Sequence, residues 1–310
     1  MNRKSIIDPA GGYRIVGLAN GTHSLHSLAY GETFHPVIGP VAEAEALYVR
    51  QLDLPGWLKK HEGEFVVWDV GLGAAANALT ILRCSREHSC PLRMVSFDQT
   101  LEPLEFVLEH VDQFPYLRDY IRQVRELATA GRCSFQNGRQ HVDWEFHLAD
   151  FPTLLNAACS PNPSIRLPKP HLILFDAYSP AKNPTMWTHS IFAQIFKLLD
   201  PDRPCAMPTY SRATNLRVTL LLAGFFVGAG HATGKKEETT IATNSMNLLK
   251  EPLGARWLQR ARQSHSAEPM WTPTYRQAPL EPSTWEKLRN HPQFVGAVAS
   301  GDSGKHPGRG

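Results

Sequence analysis

No stretch of the 310-residue sequence approaches the roughly eighteen consecutive apolar residues that a membrane span requires. The opening segment, MNRKSIIDPAGGYRIVG, is basic at its start but lacks an apolar h-region, which argues against a secretory signal. Cysteine is scarce. The five residues Cys84, Cys90, Cys133, Cys159 and Cys205 form no even framework and read as reduced thiols of a cytoplasmic protein. Cys84, His88 and Cys90 lie close together, but no second pair of ligands follows, so no metal site is expected. An excess of one charge is also missing. The 32 Lys and Arg against 29 Asp and Glu leave +3, too little to mark a nucleic-acid binder. Basic residues do cluster locally, at Lys235 and Lys236 and at Arg256 and Arg260, where a solvated surface is the plainer reading.

What is present is an alternation of strand and helix signals. Residues 1–60 suggest an N-terminal hairpin turning at Asn20-Gly21, then a helix over 42–54 that ends at Pro55-Gly56. Phe65 to Val70 is a short apolar strand, followed by a tight Gly71-Leu72-Gly73 turn and an Ala- and Leu-rich helix. A second strand ends on Asp98. Asn137-Gly138 marks a hairpin whose second strand ends on Asp150, and HLILF leads into Asp176. CAMPTY is a weaker strand, and a last strand pair is expected within 225–245. The pattern predicts an α/β fold over 61–245, with a mostly parallel sheet and helices on both faces. From 246 to 310 the composition turns Pro-rich and basic, as in a loop-like C-terminal extension with a disordered tail.

In such sheets ligands bind beyond the carboxyl ends of the strands, where Asp69, Asp98, Asp150 and Asp176 should line one rim. The segment DVGLGAAAN, Asp69 to Asn77, is a Gly-x-Gly turn from strand to helix. Its second glycine admits close backbone approach, and the helix N-terminus offers free N–H donors. A nicotinamide cofactor would want a third glycine where Ala76 stands, and Asp69 is unwelcome beside a pyrophosphate. S-adenosylmethionine (SAM), cationic and without phosphate, suits the acid better. Asp98, 25 residues after Gly73, is placed for ribose hydroxyls, and Asp150 either takes the adenine amino group or caps the next helix. Asp176 either forms an Asx turn with Tyr178 and Ser179 or holds an attacking amine. The stiff turn after it carries Tyr178, Lys182, Asn183 and Trp187, whose aromatics either stack a substrate or belong to the core.

The segments YVRQLDLPGW, WDVGLGAAANALTIL, VSFDQ, FHLAD and above all FDAYSPAKNPTMWTHSIFAQIFKLL resemble the methyltransferase half of MnmC over roughly residues 30–245. That family comprises the tRNA 5-methylaminomethyl-2-thiouridine methyltransferases. The resemblance implies a Rossmann-like SAM-dependent methyltransferase fold and methylation of the aminomethyl nitrogen of a wobble uridine in the tRNA anticodon loop. It implies Asp176 as catalytic carboxylate, Asp69, Gly71, Gly73, Asn77, Asp98 and Asp150 around SAM, and Arg217, Lys235 and Lys236 on the substrate side. This sequence departs from the family pattern in lacking the loop threonine (Leu72 stands there) and in carrying Ala177 and Tyr178 after the catalytic acid. No second nucleotide-binding glycine motif follows residue 245, so a separate oxidase partner is expected. The alternative reading is a small-molecule amine methyltransferase or an aminopropyltransferase resembling spermidine synthase. Oligomeric state leaves no trace in the sequence.

Overall fold

The computed structural model describes residues 6–7, 12–232 and 238–298. Its centre is an eight-stranded sheet that follows from the apolar runs. Strands β5 (Phe65–Val70), β9 (Leu172–Phe175) and β10 (Ala206–Thr209) are buried at every position, as strands covered on both faces must be. With β6 (Leu92–Asp98) and β8 (Gln140–Leu148) they form a parallel block in the order β10-β9-β5-β6-β8. Antiparallel hairpins finish both edges. β7 (Arg132–Asn137) pairs with β8 through the Asn137-Gly138 turn, and β12 (Thr239–Thr243) inserts between β10 and β11 (Phe226–Gly230). The strand pair expected within 225–245 is therefore present.

Helices cover both faces. Helices α3 (Ala76–Ser85), α4 (Glu102–Glu109) and α5 (Ile121–Ala130) enclose a core containing Phe65, Val67, Leu79, Met94 and Trp144. Helices α6 (Phe151–Cys159), α7 (His189–Leu198) and α8 (Thr214–Leu222) enclose a second core containing Trp68, Phe97, Phe175, Trp187 and Phe192. The register sets Val70 opposite both Phe97 and Phe175, so three strands end level and Gly71, Asp98 and Asp176 emerge side by side.

Before the sheet, four short antiparallel strands form a separate small sheet: β1 (Ile6–Ile7), β2 (Tyr13–Gly17), β3 (His23–Ser27) and β4 (Glu32–Thr33). The expected hairpin is its centre, with Gly21 at φ 82° in the turn. The expected helix over 42–54 is broken up. Helix α1 (Pro40–Ala44) runs into a π-helical turn, Glu45–Arg50, and α2 (Leu54–Lys60) starts afresh. Pro55 opens this helix instead of ending the one before it, because at the first turn its missing N–H costs nothing.

The loop-like reading of the segment after 245 needs correction as far as residue 298. Helices α9 (Ala255–Gln263), α10 (Pro282–Arg289) and α11 (Pro292–Val298) place Trp257, Leu258, Met270, Leu288 and Phe294 in the second core. Gln293 clamps the edge strand. Its Oε1 accepts from Val227 N at 2.8 Å, and its Nε2 donates to Val227 O at 2.7 Å and Leu253 O at 2.8 Å. Composition misled here because few, well-spaced apolar residues suffice to cover a sheet edge. The tail expected beyond 298 lies outside the described residues. Among the described residues no helix is long and apolar enough to cross a membrane.

Candidate functional site

A cavity of about 670 Å³ opens at the carboxyl ends of the parallel strands, at the crevice between β5 and β9 where strand order reverses. Its floor is the glycine turn. Gly71 has φ 92°, and a Cβ there would lie 2.8 Å from Asp176 O, so only glycine lets the two strand ends sit this close. Gly73 has φ 49°, and a Cβ there would meet the Phe34 ring at 3.1 Å. Asp98 is tied to the same turn. Its Oδ2 accepts from Gly73 N at 2.9 Å and its Oδ1 from Thr100 N at 3.3 Å. Burial pushes the Asp98 carboxyl up, while the backbone N–H groups of Gly73, Thr100 and Gln99 pull against that.

Asp150 lines the cavity and also caps α6, accepting from Thr153 N at 3.1 Å and Thr153 Oγ1 at 2.6 Å. The two readings of this residue are compatible, since one carboxylate caps with Oδ2 at an exposed rim position.

Asp69 is different. It was expected against the ligand, yet it lies fully buried beneath the turn and does not line the cavity. Ser96 Oγ donates to Asp69 Oδ2 at 2.9 Å and itself accepts from Trp144 Nε1 at 2.9 Å. Burial pushes the carboxyl up to about 7, opposed by the Ser96 hydrogen bond and reinforced by Asp176 and Asp98. Asp69 sits inside the strand, where every residue is buried, and Ser96 holds it beneath the turn, so its closeness to Gly71 in sequence does not bring it to the cavity.

Asp176 meets its neighbours at the strand tip. Asn77 Nδ2 donates to its Oδ2 at 2.8 Å, and His35 Nε2 lies 3.3 Å from the same oxygen. Asn77 thus reaches the catalytic candidate from the N-terminal turn of α3. The Ser179 N–H donates to Glu32 Oε2 at 3.0 Å, and Ser179 Oγ donates to Glu32 Oε1, so this residue of the turn is held by the small sheet. Beyond it, Lys182 N and Asn183 N both donate to Ser179 O, closing the proline-pinned turn. Asn183 lines the cavity and Lys182 is exposed beside it.

Tyr178 is half-buried and stacks on Tyr30, ring centroids 3.9 Å apart and planes 15° apart, with Phe34 edge-on at 5.5 Å. Two substrate-side expectations need correction. Trp187 is a core residue: its side chain is buried among Phe175, Phe192 and Tyr210, and its Nε1 donates to Tyr178 O at 2.7 Å. Arg217 is buried away from the cavity and pins α8 to β12, donating to Thr240 Oγ1, Glu238 Oε1 and Thr239 O at 2.8 to 3.0 Å. A guanidinium matched to three acceptors in the interior is a brace, with burial pulling its pKa down and Glu238 opposing. Lys235 and Lys236 lie outside the described residues. Arg256 and Arg260 are exposed on α9 and line no part of the cavity.

Sequence reasoning missed the outer wall. Tyr30, Glu32, Phe34 and His35 of the small sheet, and Glu43 of α1, all line the cavity. The dense run of aromatic, acidic and histidine residues in YGETFH was a signal, but nothing local says which part of the chain it faces. Tyr210, whose OH donates to Ala177 O at 3.1 Å, closes the wall behind Asp176. Five carboxylates line the cavity, Glu32, Glu43, Asp98, Asp150 and Asp176, and no Lys or Arg does among the described residues.

Residues 158–245 match a family described as S-adenosyl-L-methionine-dependent methyltransferase. The chain is 28% identical over 211 residues to the "tRNA 5-methylaminomethyl-2-thiouridine biosynthesis bifunctional protein MnmC" of Burkholderia mallei, covering 63% of this chain and 30% of that protein. It is 26% identical over 227 residues to the protein of the same name from Aeromonas hydrophila, covering 68% and 32%. The chain therefore spans about a third of the length of these curated relatives. A crystal structure of MnmC2 from Aquifex aeolicus superposes with a TM-score of 0.61 at 20% identity, covering 91% of this chain and 84% of that one, which shows the fold to be shared.

Proposed function

We propose, from the premise that this chain is an S-adenosyl-L-methionine-dependent methyltransferase related to MnmC, that it methylates the aminomethyl nitrogen of a modified wobble uridine in tRNA. The observation that carries the reading is the Asp176 carboxylate beside the Gly71–Gly73 turn at the crevice of a sheet of this fold. We assign the methyltransferase domain to residues 61–245, with 1–60 and 246–310 built onto it, and action on tRNA would place the protein in the cytoplasm.

The residues present fit the cofactor. Gly71 and Gly73 leave room that a side chain would fill, and Asp98 offers carboxylate lone pairs at the rim for ribose hydroxyls. Asp150 stands at the adenine end, Asn77 supports Asp176, and Asp69 stiffens the turn from below. When bound, the cofactor supplies an electrophilic methyl group on a positively charged sulfur. Asp176 accepts a hydrogen bond from the incoming amine and keeps its lone pair in line, so much of the rate comes from placement. Because a carboxylate also favours the ammonium form, the proton must have somewhere to go. Tyr178 and Asn183 contact the splayed uridine, while Lys182, Lys235, Lys236, Arg256 and Arg260 meet phosphates. A separate oxidase would supply the aminomethyl acceptor.

One observation favours a second reading. A cavity lined by five carboxylates and five tyrosines, two of them stacked, with no Lys or Arg among the described residues, is suited to a small cationic amine, for methyl or aminopropyl transfer. Incubating the purified protein with undermodified tRNA or a polyamine, and with methyl-labelled SAM or aminopropyl-labelled decarboxylated SAM, beside Asp176→Ala, separates the two. Methyl-labelled tRNA with wild type alone supports the leading reading; either label on the polyamine and none on tRNA overturns it.

A further inference from the structure

Two side chains of the outer wall converge on Asp176, and the reading above uses neither. His35 Nε2 lies 3.3 Å from Asp176 Oδ2, and His35 Nδ1 lies 3.9 Å from Glu43 Oε2. The side chains of His35, Asp176 and Glu43 are only 10%, 17% and 9% exposed. His35 also holds a left-handed backbone at φ 44°, although it is not glycine. That conformation is strained for a residue other than glycine and persists only where the surroundings impose it. Glu43 N donates to Gly39 O at the start of α1, the element that carries the carboxylate behind the ring.

We propose that His35, backed by Glu43, is the proton relay of the reaction centre, taking through Asp176 the proton that the acceptor nitrogen releases on methylation. The relay rests on the amine-methyltransferase reading and serves a uridine aminomethyl group or a free amine alike. The neutral amine gives its lone pair to the methyl carbon, and the carbon–sulfur bond breaks with its electrons going to sulfur. The product is an alkylated ammonium with one proton to lose. That proton passes to Asp176 Oδ2 and then to His35 Nε2, leaving an imidazolium between two carboxylates. Loss of the proton to solvent after product departure restores the neutral ring. His35 thus acts through Asp176, as a positioning and relay residue.

Asp176 beyond β9 and Glu43 on α1 stand beside the ring, and the groups that act on these two are Asp69 under the glycine turn, Tyr48 in the π-helical turn and Tyr210 beyond β10, on which Glu32 of β4 also acts. Burial first, then Asp176, push both phenols well above their ordinary range, so they stay neutral while the ring titrates. Asp69, pushed up to about 7 by burial, titrates in wild type and in His35→Asn alike, so comparison of these two isolates the ring.

The test uses the full chain and three variants. His35→Asn removes the ring with a residue that tolerates the left-handed backbone; Glu43→Gln removes only the charge behind it; Asp176→Asn removes the charge in front. Calorimetric binding of S-adenosylhomocysteine reports fold and cofactor site, and single-turnover methyl transfer against pH reports the relay. The wild-type rate is expected to fall at acid pH as both the acceptor amine and the ring become protonated. His35→Asn should bind S-adenosylhomocysteine within about twofold of wild type, transfer methyl roughly 10- to 100-fold more slowly, and lose the ring's part of that acid limb, leaving the shallower one that the amine sets. Glu43→Gln should move the limb to lower pH, because a charge that favoured the imidazolium is gone. Nitrogen NMR of the His35 ring should show its titration shifted the same way in Asp176→Asn, a readout that needs no turnover. An unchanged acid limb in His35→Asn, an unshifted limb in Glu43→Gln, or a loss that only tracks weakened S-adenosylhomocysteine binding overturns the relay. A wild type that binds no S-adenosylhomocysteine and methylates no amine overturns the functional reading, and the relay falls with it.

Discussion

The inner wall of the cavity, built from the ends of β5, β6, β8 and β9, and the outer wall, built from residues 30–43, meet across Asp176 but are held by different forces. The inner wall is hydrogen-bonded ladder over two buried cores, and its polar groups are fixed by backbone N–H donors or by Ser96 and Asn77. The outer wall stands on the small sheet, whose Tyr13, Ile15 and Leu25 join the first core, but over the cavity it is fastened by side-chain contacts, chiefly Glu32 on Ser179, Tyr30 on Tyr178 and His35 on Asp176. A wall of the first kind carries stability, and one of the second kind is free to shape binding and proton movement. The difference teaches that the turn after Asp176 serves both, since Trp187 roots it in the core while Tyr178 and Ser179 hold the small sheet.

Four measurements press on that contrast. Trp187→Ala should cost about 3–5 kcal/mol in chemical denaturation, as a large core aromatic does; a loss below about 1 kcal/mol would move the turn from the inner wall to the outer.

The second concerns Asp69, whose folded pKa of about 7 lies above its unfolded value near 4. Between those values the folded state holds the proton that the unfolded state has lost. Stability is therefore highest below about pH 4 and declines as pH rises toward 7, by a few kcal/mol in all. Asp69→Asn should flatten that decline, and denaturation midpoints of the two proteins measured from pH 4 to 8 would converge or diverge accordingly. Parallel curves would contradict the burial argument.

Tyr30→Ala, by contrast, should cost about 1 kcal/mol of stability or less, the worth of one stacked aromatic pair, while weakening acceptor binding. A stability loss near that of Trp187→Ala would make Tyr30 part of the core that Tyr13, Ile15 and Leu25 already join. The smallest effect is expected at exposed Lys182: Lys182→Ala should lower the salt dependence of tRNA binding by about one phosphate contact. An unchanged slope would remove Lys182 from the tRNA surface.

The alternation of strands and helices, the glycine turn and three of the four rim acids, Asp98, Asp150 and Asp176, are legible because each depends on short-range rules: apolar runs, turn glycines and acids at strand ends. Trp187 and Arg217 are not. An aromatic or an arginine after a strand looks alike whether it faces solvent, ligand or core, and the packing of α7 and α8 decides. Asp69 differs from the other three acids in lying inside its strand, where Ser96 holds it buried. Helices α9 to α11 escaped because covering a sheet edge takes few apolar residues.

By itself the sequence determined the parallel sheet, the crevice at its carboxyl ends and Asp176 as the residue that faces it. These follow from local backbone preference and hydrophobic periodicity, which act over a few residues. Only the tertiary structure decided that residues 30–43 form the opposite wall and that Glu43, His35, Asp176 and Asn77 stand in one line. Those residues lie as far as 141 positions from their partners, as His35 does from Asp176. No propensity reaches that far; the meeting is set by how whole elements bury their apolar faces.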